Sequence, residues 1–198
     1  MRNLEISENE CFLLKHIFIA FDKYKNEEEI FYDLCFFICS PQTCFKNVLK
    51  LVAMLRTMDF YNLALEDYIM EFILKEAGIF SPKSKAKRLL SAKKDFDLVL
   101  KILEMKKGDQ ELRDLLVKFI DGLGMKTASH FLRNLGCRNL VIIDNSILKF
   151  LKCERPTSNK NYKEIEKKFI EIAYVNSISP AKANAVIRLR EDWTQIFY

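Results

Sequence analysis

Apolar residues recur at three- and four-residue spacing along almost the whole chain, and the rhythm breaks where capping and turn residues fall. Ser7-Glu8-Asn9-Glu10 reads as a capping box that opens an amphipathic helix over 11–21. Asn26-Glu27-Glu28-Glu29 opens a second, strongly apolar helix over 30–39, with Phe31, Leu34, Phe36, Phe37 and Ile38, and Ser40-Pro41 breaks it. A third starts at Gln42-Thr43-Cys44 and runs through Val48, Leu51, Val52 and Leu55. A fourth is predicted over 63–77, stopped by Gly78. Ser81-Pro82 reads as an N-cap followed by proline at the first helical position, opening a basic helix to residue 94. Shorter helices are predicted over 96–105 and 110–119, then 145–151, 162–175, and from Ser179-Pro180 towards Trp193. A polar loop spans 154–160. No strand pattern, repeat or low-complexity segment interrupts this, so the expected class is all-α.

The densest information lies in 115–151. Leu116, Phe119 and Ile120 sit at helical spacing and end in Asp121-Gly122-Leu123-Gly124. A new helix follows at once, with Lys126, Ala128, Phe131 and Leu132 before Gly136. Two glycines around one apolar residue, between two amphipathic helices, read as a helix–hairpin–helix over 112–136. Glycine permits positive φ and close backbone approach, and amide groups at a helix N-terminus form a seat for a phosphate. Asp144 follows the apolar run Leu140-Val141-Ile142-Ile143 and stands directly before a helix, the position of an N-cap.

At 198 residues and 49% hydrophobic content, the chain can bury one sizeable core or two small lobes. No apolar run of about 18 residues points to a membrane span. The first residues lack a signal-peptide pattern, so an intracellular protein of the cytoplasm or nucleoid is expected. The net charge of +5 is unevenly placed. Nine basic residues stand against three acidic ones over 81–107, and ten against six over 145–198, whereas residues 1–34 carry four against eight. That asymmetry suits a one-sided polyanion footprint, although any single lysine is equally a solvated helix position. Cys11, Cys35, Cys39, Cys44, Cys137 and Cys153 lack metal-ligand spacing, and His16 and His130 do not complete a set. Cys35 and Cys39, four apart on an apolar helix, read as buried small hydrophobes. No metal or organic cofactor is expected.

The segment 115–151 resembles the hairpin-plus-aspartate signature of DNA base-excision glycosylases, and a lysine just after the hairpin resembles their bifunctional glycosylase/lyase branch. Gly124-Met125-Lys126-Thr127-Ala128-Ser129-His130-Phe131-Leu132-Arg133-Asn134 is similar to the type 2 8-oxoguanine DNA glycosylases, and weaker similarity reaches 34–55 and 78–93. The resemblance implies two helical lobes around a base-binding cleft, one of 1–39 with 141–198 and the other of 40–140. It implies a monomer acting on double-stranded DNA that contains an oxidised purine or an abasic site. The reaction implied is excision of 8-oxoguanine followed by nicking through β-elimination. An endonuclease III-like enzyme for oxidised pyrimidines is the alternative within the class, against which the missing C-terminal cysteine cluster counts. A hairpin module that only binds DNA is the alternative outside it.

Lys126 is the candidate nucleophile, because an amine can displace the base and form a Schiff base with the opened sugar. An ordinary lysine has a pKa of about 10.4, so burial in a dry cleft and the helix dipole are expected to depress it. Asp144 would activate that lysine and stabilise charge on the sugar, in addition to capping its helix. The resembling family carries Asp-Arg-His here, where this chain has Asp144-Asn145-Ser146. Gln42 stands where similar enzymes insert a residue into the duplex. Gly122 and Gly124 would offer amides to a phosphate, and Lys85 and Arg88, with Lys83 and Lys87, would track the backbone. His130, one turn after Lys126, reads as a supporting residue, and Phe80 and Trp193 as candidate base-stacking groups. Type 2 members end in a lysine at the base pocket with a tryptophan nine positions earlier. This chain has Tyr198 and Leu189 there, and Tyr198 with its carboxylate is the candidate at the base.

Overall fold

The computed structural model describes residues 4–22 and 25–192. Within them the chain forms eleven α-helices and no strand. They are α1 (Glu8–Asp22), α2 (Glu27–Cys39), α3 (Phe45–Thr57), α4 (Asp67–Glu76), α5 (Pro82–Lys94), α6 (Phe96–Leu103), α7 (Asp109–Phe119), α8 (Met125–Asn134), α9 (Asn145–Leu151), α10 (Asn159–Val175) and α11 (Pro180–Asp192). No helix among the described residues is long and apolar enough to cross a membrane. Both N-terminal capping boxes form: Ser7 and Glu10 exchange bonds ahead of α1, and Asn26 and Glu29 do so at α2.

Two helices start later than the sequence reading places them, and a third start lacks its expected cap. Residues 58–63 form turns around Asp59, which takes a positive φ of 51°, so α4 begins at Asp67 rather than at 63. Lys93 Nζ fastens that turn segment by donating to the carbonyls of Phe60, Tyr61 and Leu63. Gln42 likewise adopts φ 56°, and α3 starts only at Phe45. Ser81 precedes Pro82 as expected but is left-handed, and its hydroxyl makes no capping bond.

Two apolar cores form. The first gathers α2 to α8 around Phe31, Tyr32, Phe37, Leu51, Phe60, Leu89 and Phe131. The second gathers α1, α9, α10 and α11 around Leu14, Val141, Ile147, Phe169 and Val186. The division therefore falls between α1 and α2, not at 39/40. The reason is that α2 buries seven of its residues, Phe31, Leu34 and Phe37 among them, against the middle helices. Helix α8 serves both cores: Ala128, Phe131 and Leu132 belong to the first and Met125 to the second. Burying a side chain of the size of Phe131 or Leu132 contributes about 1.5–3 kcal/mol, so α8 is firmly held. Cys35 and Cys39 lie inside the first core, where burial pushes the Cys39 thiol up to about 12 and raises Cys35 as well.

Candidate functional site

The apolar run 140–143 is buried and belongs to no helix, and no strand among the described residues pairs with it. Side chains satisfy its backbone instead, as buried amides and carbonyls require. Glu166 Oε1 accepts from Val141 N at 3.2 Å. Tyr162 Oη donates to Val141 O at 2.7 Å and accepts from Ile143 N at 3.3 Å. Asn184 brackets Ile142, accepting from its amide at 3.3 Å and donating to its carbonyl at 3.2 Å. Glu166 is in turn gripped by the fully buried Arg113 at 2.6 Å. This rigid track ends at Asp144, whose Oδ1 accepts from Ile147 N at 3.1 Å and so caps α9.

The hairpin between α7 and α8 passes close under α5. Gly122 has φ 93°, and a Cβ there would meet Arg88 Cδ at 3.0 Å and Ile38 Cγ2 at 3.2 Å, so any other residue is strained and crowded. Gly124 is different. Its φ is −94°, and its amide donates to Thr127 Oγ1 at 2.9 Å rather than facing outward for a phosphate. Thr127 closes the helix end from inside, which the glycine pattern does not reveal. The amides of Gly122, Met125, Lys126 and Thr127 have no hydrogen-bond partner among the described residues and form the available anion seat. Arg88 lies along the hairpin, with Nε 3.6 Å from Asp121 Oδ1, and its side chain is 39% exposed.

Lys126, in the first turn of α8, and Asp144 line one groove of about 920 Å³, together with Gly122, Gly124, Asn145, Arg155 and Tyr162. Both also line an adjoining recess of about 390 Å³ with Phe36, Phe37, Gln42, Thr43, His130 and Arg188. Lys126 is not sealed in a dry cleft. It is exposed to the groove and makes no hydrogen bond or ion pair among the described residues. Its pKa is nevertheless lowered, first by desolvation at its ammonium and then by Arg188 and Arg155, while Asp144 pulls the other way. Arg188, which the sequence reading did not single out, approaches Asp144 Oδ2 with Nε at 2.9 Å, and both side chains are buried. Arg155 Nη2 donates to Asn145 Oδ1 at 3.2 Å at the groove's edge. No local sequence signal marks either arginine, since each meets the site only through the fold.

His130 is buried against Phe37, ring centroids 4.8 Å apart, with Nε2 2.7 Å from Arg133 Nη2. Burial, then Arg133, Arg188 and Lys126, hold its pKa well below the ordinary value, so it is a neutral wall of the recess. Gln42 is exposed on the 40–44 loop at the recess mouth. Lys85 does not reach the surface to track a duplex. It is 3% exposed, and its Nζ donates to Cys39 O at 2.8 Å, Pro41 O at 2.6 Å and Thr43 Oγ1 at 2.8 Å. The ammonium thus ties together the end of α2 and the Gln42 loop, because those groups point inward where a buried donor must satisfy them. Burial lowers its pKa. Phe80 is 56% exposed beside that loop, its amide donating to Thr43 Oγ1 at 3.2 Å, and it lines neither the groove nor the recess. Trp193 and Tyr198 lie outside the described residues.

A family model described as 8-oxoguanine DNA glycosylase matches residues 14–178. An 8-oxoguanine DNA glycosylase/AP lyase of Korarchaeum cryptofilum is 32% identical over 131 residues, 66% of this chain and 61% of the relative. The stretch matched there thus spans less than two thirds of that relative's length. A protein of the same description from Thermoplasma volcanium is 31% identical over 183 residues, 90% of this chain and 87% of the relative. Among solved structures, the Methanocaldococcus jannaschii 8-oxoguanine glycosylase/lyase in complex with a 15mer DNA containing 8-oxoguanine superposes with a TM-score of 0.79 at 26% identity, covering 93% of this chain and 92% of that one. With the hairpin, its lysine and the capped aspartate gathered at one groove, and a family match running from α1 to the end of α10, the chain belongs to the helix–hairpin–helix 8-oxoguanine DNA glycosylase family.

Proposed function

We propose that this protein is a bifunctional DNA glycosylase and abasic-site lyase that excises 8-oxoguanine from double-stranded DNA and then nicks the strand. One observation carries the reading: Lys126 presents an unpaired amine, its pKa depressed, in the groove that also holds the Asp144 carboxylate. The amine of Lys126 attacks the anomeric carbon of the damaged nucleotide. A carbon–nitrogen bond forms there as the bond to the base breaks, and the bonding pair leaves with the base. The aminal opens to a Schiff base, loss of a proton from the adjacent carbon follows, and the 3′ phosphate departs by β-elimination. Asp144 stabilises positive charge on the sugar as the base leaves. The amine itself supplies the nucleophile, so this route needs no cofactor.

The amides at the head of α8 and Arg88 hold phosphates on either side of the lesion. Gln42 fills the space left by the extruded base, which offsets part of the few kcal/mol that extrusion costs. The recess behind Lys126 receives the base. The protein acts as a monomer, and its place is where the genome lies, the cytoplasm or nucleoid.

Borohydride trapping on a duplex with a single 8-oxoguanine tests the reading. The wild-type chain forms a covalent adduct, whereas Lys126→Gln forms none and still binds the duplex. An adduct in Lys126→Gln, or none in the wild type on either 8-oxoguanine or abasic duplexes, refutes it. The second outcome would favour a module that only binds DNA.

A further inference from the structure

Lys126 and Asp144 open on the same groove, yet they do not pair. The carboxylate meets a hydrogen bond at one oxygen and an ion-pair contact at the other. Oδ1 accepts from Ile147 N at 3.1 Å, and Oδ2 faces Arg188 Nε at 2.9 Å. Arg188 follows Val186 and Ile187 of the second core on α11, and its side chain is 4% exposed. A lysine beside a carboxylate with nothing else to hold it closes into an ion pair, and an ammonium so held is a poor nucleophile.

We propose that Arg188 is a positioning residue for the reaction: it holds the Asp144 carboxylate from the protein side, so that Asp144 faces the groove without capturing Lys126. The proposal rests on Lys126 as the nucleophile and deepens that reading. The titratable and charged groups around Lys126 agree with it. Asp144 comes from the head of α9, Arg188 from α11 and Arg155 from the 152–158 loop, while His130 and Arg133 stand on α8 itself. Glu191, farther along the groove, is taken by Lys149 at 2.8 Å. The cations favour a neutral amine, and Asp144 opposes them only as far as Arg188 leaves its charge unmatched.

The test is the titration of Lys126 itself. Trace acetylation of the DNA-free chain across pH, read by peptide mass spectrometry, reports the Lys126 midpoint without any need for activity. Trapping on an abasic-site duplex across pH reports the same group in the reaction. Arg188→Gln moves the midpoint and the acid limb of trapping upward together by about one unit, which is about tenfold slower trapping at neutral pH. Arg188→Lys gives an intermediate shift. In an Asp144→Asn background the effect of Arg188→Gln on the midpoint falls to less than about half, because the contact with the Asp144 carboxylate charge is then already gone. An unmoved midpoint in Arg188→Gln, or an equal shift in both backgrounds, overturns the proposal. Where circular dichroism shows Arg188→Gln unfolded, Arg188→Lys decides, and an unmoved midpoint in that folded variant is equally fatal. Failure of trapping in the wild type would sink the glycosylase reading alone, since acetylation still decides what Arg188 does.

Discussion

Replacing Lys85 by methionine separates two accounts of a basic helix. As a phosphate contact, Lys85 would matter only when DNA is bound. In the structure its ammonium donates to Cys39 O, Pro41 O and Thr43 Oγ1 inside the protein. A hydrogen bond from a charged donor contributes about 1.5–3 kcal/mol net, and orphaned carbonyls keep their full desolvation cost. Part of that total is offset, because the buried ammonium is itself poorly solvated, as its lowered pKa indicates, and methionine retains the packing of the stem. The net loss expected is about 2–4 kcal/mol. For a chain of this size each kcal/mol moves the melting temperature by roughly 2–4 °C, so a fall of about 5–15 °C should be seen by calorimetry. DNA binding supplies the contrast. A lost phosphate contact flattens the dependence of log K on log salt by about one. Lys85→Met should leave that slope unchanged, whereas Arg88→Met should reduce it. An unchanged melting temperature together with a slope reduced by about one would refute the clamp.

The other predictions are local. Gln42 sits at φ 56°, so Gln42→Gly should relieve strain and raise stability by up to about 1 kcal/mol. It should nevertheless slow single-turnover excision of 8-oxoguanine, and a variant both stabler and as fast would remove Gln42 from the reaction. Gly122→Ala forces a Cβ to 3.0 Å from Arg88 Cδ at φ 93°. A cost of about 1–3 kcal/mol and weaker duplex binding are expected by thermal melting and fluorescence anisotropy. The hydrogen bond from Arg190 holds the Glu10 carboxyl at about 2, below its ordinary 4.5. The α1–α11 link therefore adds stability above pH 4.5 and loses it as pH falls towards 2. Glu10→Gln should flatten that part of the acid limb in denaturant titrations.

The helices were legible because their apolar rhythm and caps are local properties of the chain. So were the hairpin and the two residues Lys126 and Asp144 that open on one groove, since each lies at the head of a helix that the sequence announces. What escaped was long-range and polar. Lys85 and Lys93 look like solvated residues of a basic helix, yet both turn inward to fasten loops more than 29 residues away in sequence. Arg188 reaches Asp144 across 44 positions, beyond any spacing argument. The apolar run 140–143 hides its supports in the same way, because Tyr162, Glu166 and Asn184 are interior positions of other helices. Gly124 misled for the opposite reason: a neighbour three residues on, Thr127, occupies the amide that glycine leaves exposed.

Because α8 contributes side chains to both apolar cores, the two walls of the groove are joined by a beam rather than a hinge. Closing the walls on a substrate would mean tearing Phe131 or Met125 from its neighbours. For the proposed reaction, any adjustment on encounter would then fall to the nucleic acid, which would kink and surrender a nucleotide to a stationary receptacle. Stretches of duplex that buckle easily should then be sampled more readily than stiff ones, so that the mechanics of the DNA become part of how a damaged site is found.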